Sequence, residues 1–251
     1  MPTSNEKLVD ALVGAYRDKT LLDIASLPVP ASYSDGMALQ AQVAKRAGLG
    51  LAGWKVSLAP DGTPNAGLMA GPFLKPGDTY EGAVGAELRV EIELALRLAR
   101  DVPFRPEQPY TREELLGYCD KAYLGIEIVE SRLADWFGKV PLELWLVDVL
   151  GHGGYYIGPE LDMKVLDDLT GLGCFISLNG VTIYDRPAEH GNGDPMVPFL
   201  AWANRKEDVM TGLTAGQIVT TGSLCGGVLS PGKGASETRL SPLGSVSLTL
   251  R

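Results

Sequence analysis

"GAELRVEIELALRLARD", residues 85–101, decides how the rest of the chain is read. From Leu88 to Leu98 every second residue is apolar, and Glu87, Arg89, Glu91, Glu93, Ala95 and Arg97 fill the alternate positions. A period of two marks a strand with one buried face. A strand projects residues i and i+2 to the same side, so Glu91 and Glu93 point together. On a helix they would stand about 200° apart and could not share a ligand. From this stretch alone two readings are open. The charged positions form a solvated face neutralised by Arg89 or Arg97, or they form a site.

A second stretch bears on that choice. In "AYLGIEIVESRL", residues 122–133, Leu124, Ile126 and Ile128 alternate with Gly125, Glu127 and Val129. Glu127 has only small or apolar neighbours on its own face and is poorly placed for solvation. If the two strands are neighbours, three carboxylates converge. Ionised carboxylates in one pocket repel, and a divalent cation removes the conflict. An all-oxygen donor set without Cys or His selects a hard ion, Mg²⁺ or Mn²⁺. Three protein ligands leave positions open for water or substrate, which suits Lewis-acid catalysis.

Around this pair the chain reads as a helical start followed by a β-rich body. Thr3 and Glu6 form a capping-box pattern ahead of Leu8, Leu12 and Tyr16 on one helical face. A second helix is expected to begin near Ser34 or Asp35 and to stop at Gly48-Leu49-Gly50. "GWKVSL", residues 53–58, alternates as a strand, and residues 59–82 are expected to be loop with short strands. Thr111 and Glu114 make another capping box, predicting a helix to about Ala122. Beyond the second Glu strand the chain is a series of short apolar runs, interrupted by one helix near residues 195–205. The expected domain organisation is an N-terminal helical segment over 1–51 and a β-rich catalytic domain over 52–251.

Composition narrows the function classes. The 251 residues are 45% hydrophobic and 21% charged with a net charge of −9, and no basic run occurs. That balance argues against nucleic acid or an anionic membrane as partner. Cys119, Cys174 and Cys225 are far apart and odd in number, which argues against a disulfide framework. The first residues lack a basic start followed by an apolar core, so no signal peptide is expected and a cytoplasmic location is. No Gly-x-Ser-x-Gly elbow or P-loop is present.

Taken together, "GWKVSL" (53–58), "RVEIELAL" (89–96), "GIEIVESRLADW" (125–136), "LVDV" (146–149), "GDPMVPFLAWAN" (193–204) and "LTAGQIVTTGSL" (213–224) resemble the fumarylacetoacetate hydrolase superfamily. Within it the chain looks most like the 2-keto-4-pentenoate hydratases and 4-oxalocrotonate decarboxylases. The resemblance implies an α+β fold, a mixed β-roll behind a small N-terminal helical segment, with bound Mg²⁺ or Mn²⁺. It implies Glu91, Glu93 and Glu127 as metal ligands, and Lys55 as the family's lysine in "G-x-K-x-G". It also implies a small 2-oxo acid substrate, a lyase reaction and a homo-oligomer. A plain surface lysine on an edge strand is the alternative for Lys55.

Departures from the family pattern shape the remaining expectations. The family's "P-D-x-G" segment corresponds to "PNAGLM" (64–69), with Asn65 where a carboxylate would stand. Its "D-x-x-A-D-N-A-S" segment is reduced to "DVLGHGG" (148–154), keeping Asp148. These changes leave the metal set intact but bear on hydration, so hydration, decarboxylation and a non-catalytic metal or 2-oxo acid binder all stay open. His152, in the shortened segment, is a candidate acid–base group, with a solvent-facing loop histidine as the plainer alternative. Asn65 and Ser223, in "TTGSL", are candidate substrate contacts. His190 is given no role. Ser131-Arg132 is expected to brace the Glu127 strand through Asp135 or Asp148, and Cys225 is expected to be a small buried residue.

Overall fold

The structure is a computed structural model that describes residues 3–135, 139–208 and 212–251; Trp136 of the quoted motif lies outside them. The chain opens with α1 (Ser4–Asp18) and α2 (Tyr33–Arg46). The Thr3–Glu6 capping box is formed, and Leu8 and Leu12 are buried beneath it. Ser32, rather than Ser34 or Asp35, caps α2 by accepting from the Asp35 N–H.

The strands are β1 (Gly50–Leu58), β2 (Pro64–Gly71), β3 (Thr79–Tyr80), β4 (Leu88–Leu98), β5 (Cys119–Glu130) and β6 (His152–Leu161). They continue with β7 (Gly173–Leu178), β8 (Val181–Pro187), β9 (Ile218–Ser223), β10 (Val228–Leu229), β11 (Gly234–Ser241) and β12 (Gly244–Leu250). Among the described residues one sheet runs β2-β1-β9-β4-β5-β6 with β10 added on β4, and the second runs β3-β12-β11-β7-β8. Both are mixed: β1 is parallel to β9, β3 is parallel to β12, and the other pairs are antiparallel. The architecture is the expected mixed α+β one, with few helices and no closed barrel.

Three elements differ from the sequence expectation. The helix after Thr111 is α3 (Arg112–Leu116), ending well short of Ala122. Residues 119–122 instead open β5, pairing with β4 at Leu98↔Cys119 and Arg97↔Lys121; sheet pairing outweighs local helix propensity there. Residues 64–71, expected to be mainly loop, form the full strand β2. A short helix, α4 (Leu142–Val147), joins the far end of β5 to β6, and α5 (Met196–Ala203) is the helix expected near 195–205.

The fold gives β4 two unlike faces. Leu88, Val90, Ile92, Leu94, Leu96 and Leu98 are all at most 5% exposed and join the main core, where β11 and β12 pack on β4, β5 and β6. Burying such side chains contributes about 1.5–3 kcal/mol each. The opposite face carries Glu91 and Glu93, and below them a small second cluster of Met69, Ala95, Tyr155 and Ile218. No helix among the described residues is long and apolar enough to cross a membrane.

Candidate active site

Strand register brings the carboxylates together. Glu91 lies directly across from Glu127 in the β4–β5 ladder, and Glu93 lies across from Gly125. Like charges directly opposite one another destabilise a sheet. Here Glu93 is 2% exposed and Glu127 is fully buried, so water does not relieve them. One ligand oxygen from each of Glu91, Glu93 and Glu127 falls within 4.8 Å of the others.

The oxygens of Glu127 are divided between two tasks. Oε1 accepts from Lys55 Nζ at 2.8 Å and from His152 Nδ1 at 3.0 Å. Oε2 is buried and has no partner, as is Oε2 of Glu93. Buried polar atoms are nearly always satisfied, and exceptions call for an ion, a water or a function. Two orphan carboxylate oxygens, a third carboxylate beside them and purely oxygen donors fit a hard divalent cation.

Lys55 is not on an edge strand. β1 is flanked by β2 and β9, and the ammonium also donates to the Leu150 carbonyl at 3.1 Å. That carbonyl is presented by an unusual backbone. Val149, Leu150 and Gly151 follow one another at φ of 49°, 55° and 67°. A left-handed β-branched residue is a true outlier, and each such non-glycine costs about 1–3 kcal/mol. Gly67, paired with Lys55, leaves room for the lysine stem, since a Cβ there would lie 2.9 Å from Lys55 Cγ.

The shortened 148–154 segment is held from below. Buried Asp148 accepts from Ser131 Oγ at 2.8 Å, Arg132 N at 3.0 Å and Arg132 Nε at 2.6 Å. The same guanidinium donates to the carbonyls of His152 and Asp148. Of the two acids expected to brace Arg132, Asp148 is the partner. His152 is therefore not a solvent-facing loop residue: it is 4% exposed, begins β6 and sits behind Glu127, away from the cavity lining.

Charge states follow from burial and pairing. Burial pushes Glu91 up to about 7, against the pull of Lys55. Burial and the neighbouring Glu127 and Glu91 charges put Glu93 well above the usual carboxylate range. Glu127 is also desolvated, but the Lys55 charge and the His152 hydrogen bond hold it below its ordinary value. Burial draws Lys55 down, yet the three glutamates leave it raised overall. Burial keeps His152 below its ordinary value, so it is neutral and its Nδ1–H donates to Glu127.

Lys55, Glu91 and Glu93 form one flank of a cavity of about 530 Å³, with Glu127 buried behind it. Asn65 and Ser223 both line it, as do Lys55, Glu91 and Glu93. Asn65 Oδ1 is buried without a partner. Ser223 Oγ is engaged locally, donating to the Gly226 carbonyl and accepting from the Cys225 N–H. Cys225 is half-buried in that turn rather than fully inside. His190 stands behind the same turn, bonded to the Thr221 carbonyl at 2.9 Å.

Sequence reasoning did not find Tyr155, the Leu150 carbonyl or the wall made by Val140, Leu142 and Trp145. The Tyr155 hydroxyl is buried beside Glu93. It fits only because residue 125 is glycine, where a Cβ would lie 1.8 Å from it. The signal available in sequence was that glycine, which sits where its strand alternates with Glu127.

No family model matches the chain. A 2-keto-4-pentenoate hydratase of Burkholderia vietnamiensis is 27% identical over 161 residues, 64% of this chain and 60% of that protein. A second, from Paraburkholderia phymatum, is 28% identical over 158 residues, 63% of this chain and 58% of that protein. The matches thus span less than two thirds of those relatives. A 4-oxalocrotonate decarboxylase from Pseudomonas putida G7, solved with magnesium and adipate, superposes with a TM-score of 0.77 over 98% of this chain and 96% of that one at 17% identity. A maleylpyruvate hydrolase from Sphingobium sp. SYK-6, solved with manganese and pyruvate, gives 0.51 over 79% of this chain and 68% of that one at 16% identity. The structural likenesses establish a shared fold.

Proposed function

We propose that this chain, which belongs to the fumarylacetoacetate hydrolase superfamily, is a Mg²⁺- or Mn²⁺-dependent lyase acting on a small 2-oxo acid or its 2-hydroxy-dienoate form. The observation that carries this is the meeting of Glu91, Glu93 and Glu127, with a ligand oxygen of each within 4.8 Å of the others, the first two on the cavity wall, and Oε2 of Glu93 and Glu127 buried without a hydrogen-bond partner. These three glutamates would hold the ion, which would supply Lewis acidity to the substrate's carboxylate and adjacent oxygen.

The chain's own groups then divide the work. Lys55, fixed by Glu127 and the Leu150 carbonyl, holds its proton and its charge next to the place where an enolate develops. His152 is a positioning residue: it fixes Glu127 through Oε1 and leaves Oε2 to the ion. Asn65 supplies an amide for hydrogen bonding to substrate, and Ser223, in register with Glu93, lines the cavity beside it with Gly222. An amide cannot take a proton at neutral pH, so Asn65 orients and does not act as base.

Hydration of a 2-hydroxy-dienoate is the first reading. Decarboxylation is the second, favoured by Asn65: no second carboxylate stands at that position to activate water. The reading includes a cytoplasmic homo-oligomer. The test is proton NMR of 2-hydroxypenta-2,4-dienoate and of 2-hydroxymuconate with purified protein, in Mg²⁺ and then in EDTA. A metal-dependent product supports the lyase, and its identity separates the two reactions. Binding of oxalate with Mg²⁺ but no turnover of either acid would mark a non-catalytic binder and sink the enzyme reading.

A further inference from the structure

The cavity extends well past the carboxylates, and its far wall differs in chemistry from its near one. Val129 lies two residues beyond Glu127 on the same strand face, so the apolar wall starts directly beside the candidate metal ligands. Val140, Leu142, Trp145 and Leu150 continue it. The Trp145 ring lies against Gly151, where a Cβ would meet it at 2.7 Å, so the glycine leaves room for the indole. At about 530 Å³ the space is in the range of about 300–1,000 Å³ that holds drug-sized ligands, far more than a three- to five-carbon acid requires.

The cations on the lining are Lys55 and Arg89, and both are committed. Lys55 is bound to Glu127 and the Leu150 carbonyl. Arg89 donates Nε at 2.8 Å and Nη2 at 2.7 Å to Glu87 Oε1, and Nη1 at 3.0 Å to the Gly227 carbonyl. Along Val140, Leu142 and Trp145 a second carboxylate on the substrate's tail would lose its hydration without gaining a partner, and Arg89, which borders this wall across from Val129 in the β4–β5 ladder, is already held by Glu87 and the Gly227 carbonyl.

We infer that this site selects a 2-oxo acid whose chain ends in a bulky apolar group, of phenyl or branched-alkyl size, and discriminates against one ending in a second carboxylate, which weighs against the decarboxylation reading, since that reaction removes a tail carboxylate. The inference rests on the reading of the three glutamates as a metal site for the 2-oxo acid end. Trp145 and Leu142 are the specificity-determining residues: one offers ring surface to the tail, and the other is a half-buried side chain at the start of α4.

Isothermal titration in saturating Mg²⁺ tests this with four probes: oxalate, pyruvate, 2-oxo-4-phenylbutanoate and 2-oxoadipate. Oxalate carries no tail and reports the metal site alone. The phenyl acid is expected to bind about tenfold or more tighter than 2-oxoadipate, which is the worth of burying such a group. Leu142→Arg is expected to bring that ratio to about one or invert it, with the fold checked by circular dichroism. Leu142→Asn serves if the arginine variant does not fold, and is expected to weaken the phenyl acid alone. Oxalate binding with 2-oxoadipate equal to or tighter than the phenyl acid overturns the tail inference and leaves the metal site standing. Failure of every probe, oxalate included, overturns the metal reading and this inference with it.

Discussion

Lys55 Nζ lies 2.8 Å from Glu127 Oε1, in a position where both groups are almost entirely out of water. The pair sets one carboxylate oxygen aside for the lysine and leaves the other buried without a protein partner. In the function proposed above, metal binding and charge stabilisation fall to different atoms of one residue, and the two can be separated by substitution.

Glu127→Gln and Glu91→Gln should each lower Mn²⁺ affinity at least about tenfold, the scale seen even for supporting residues around a metal. Lys55→Met should keep metal affinity or raise it, because a cation leaves the neighbourhood, while turnover falls about a hundredfold or more. Calorimetry with Mn²⁺ read beside the turnover rate gives the split. Loss of metal binding in Lys55→Met would contradict the division.

Metal binding should release protons near neutrality. Burial pushes Glu91 up to about 7, and burial with the neighbouring carboxylates raises Glu93 well above its ordinary value in the metal-free protein, so an ion must displace protons from this site. Apparent affinity therefore rises as pH rises from 6 to 8. Stability runs the other way for the metal-free chain. A carboxyl whose folded pKa is raised favours the fold below its unfolded value near 4.5, and that contribution is lost as pH rises through about 7. The rise in Tm on adding Mg²⁺ should be larger at pH 8 than at pH 6. Titrations in two buffers of unlike ionisation enthalpy count the protons, and a pH-independent affinity would refute the assignment.

His152 is expected to act through Glu127 alone. His152→Leu removes the donor at 3.0 Å and should weaken Mn²⁺ binding about 10–100-fold. His152→Asn puts an amide N–H near the Nδ1 position and should recover most of that loss. Equal defects in both variants, or a change in the pH profile of kcat with metal affinity intact, would argue for a direct proton-transfer role instead.

The Arg132–Asp148 pair is the structural support of the site. Asp148→Ala leaves a buried guanidinium without its carboxylate and should cost about 3–5 kcal/mol in urea unfolding. It should also impair metal binding, because the same network carries the Leu150 carbonyl to Lys55. An effect within about 0.5 kcal/mol would show that the pair is dispensable.

The carboxylate site was legible because it rests on a period of two. Alternation in residues 88–98 and 124–129 fixed which side each glutamate takes, and antiparallel pairing of the two strands did the rest. The two N-terminal helices were readable from capping and apolar spacing. What was not legible depends on long-range geometry. Residues 119–122 were expected to continue a helix, yet pairing with β4 makes them strand. His152 sits among glycines, as a turn residue would, and only Arg132 and Glu127, distant in sequence, bury it. Val149 and Leu150 adopt left-handed backbone conformations that their side chains disfavour locally, so no local rule predicts the carbonyl that holds Lys55. Leu142 and Trp145 of the apolar wall come from α4, whose six residues are too few to show a helical period.

In the function proposed above, Glu91, Glu93 and Glu127 share one hard cation. Crystals of the protein grown or soaked with Mn²⁺ and oxalate, measured at a wavelength where manganese scatters anomalously, test it most directly. The account predicts one strong peak within bonding distance of all three carboxylates, with oxalate completing its coordination at the cavity. A cavity without such a peak, or manganese bound elsewhere with Glu127 still held only by Lys55 and His152, would contradict it.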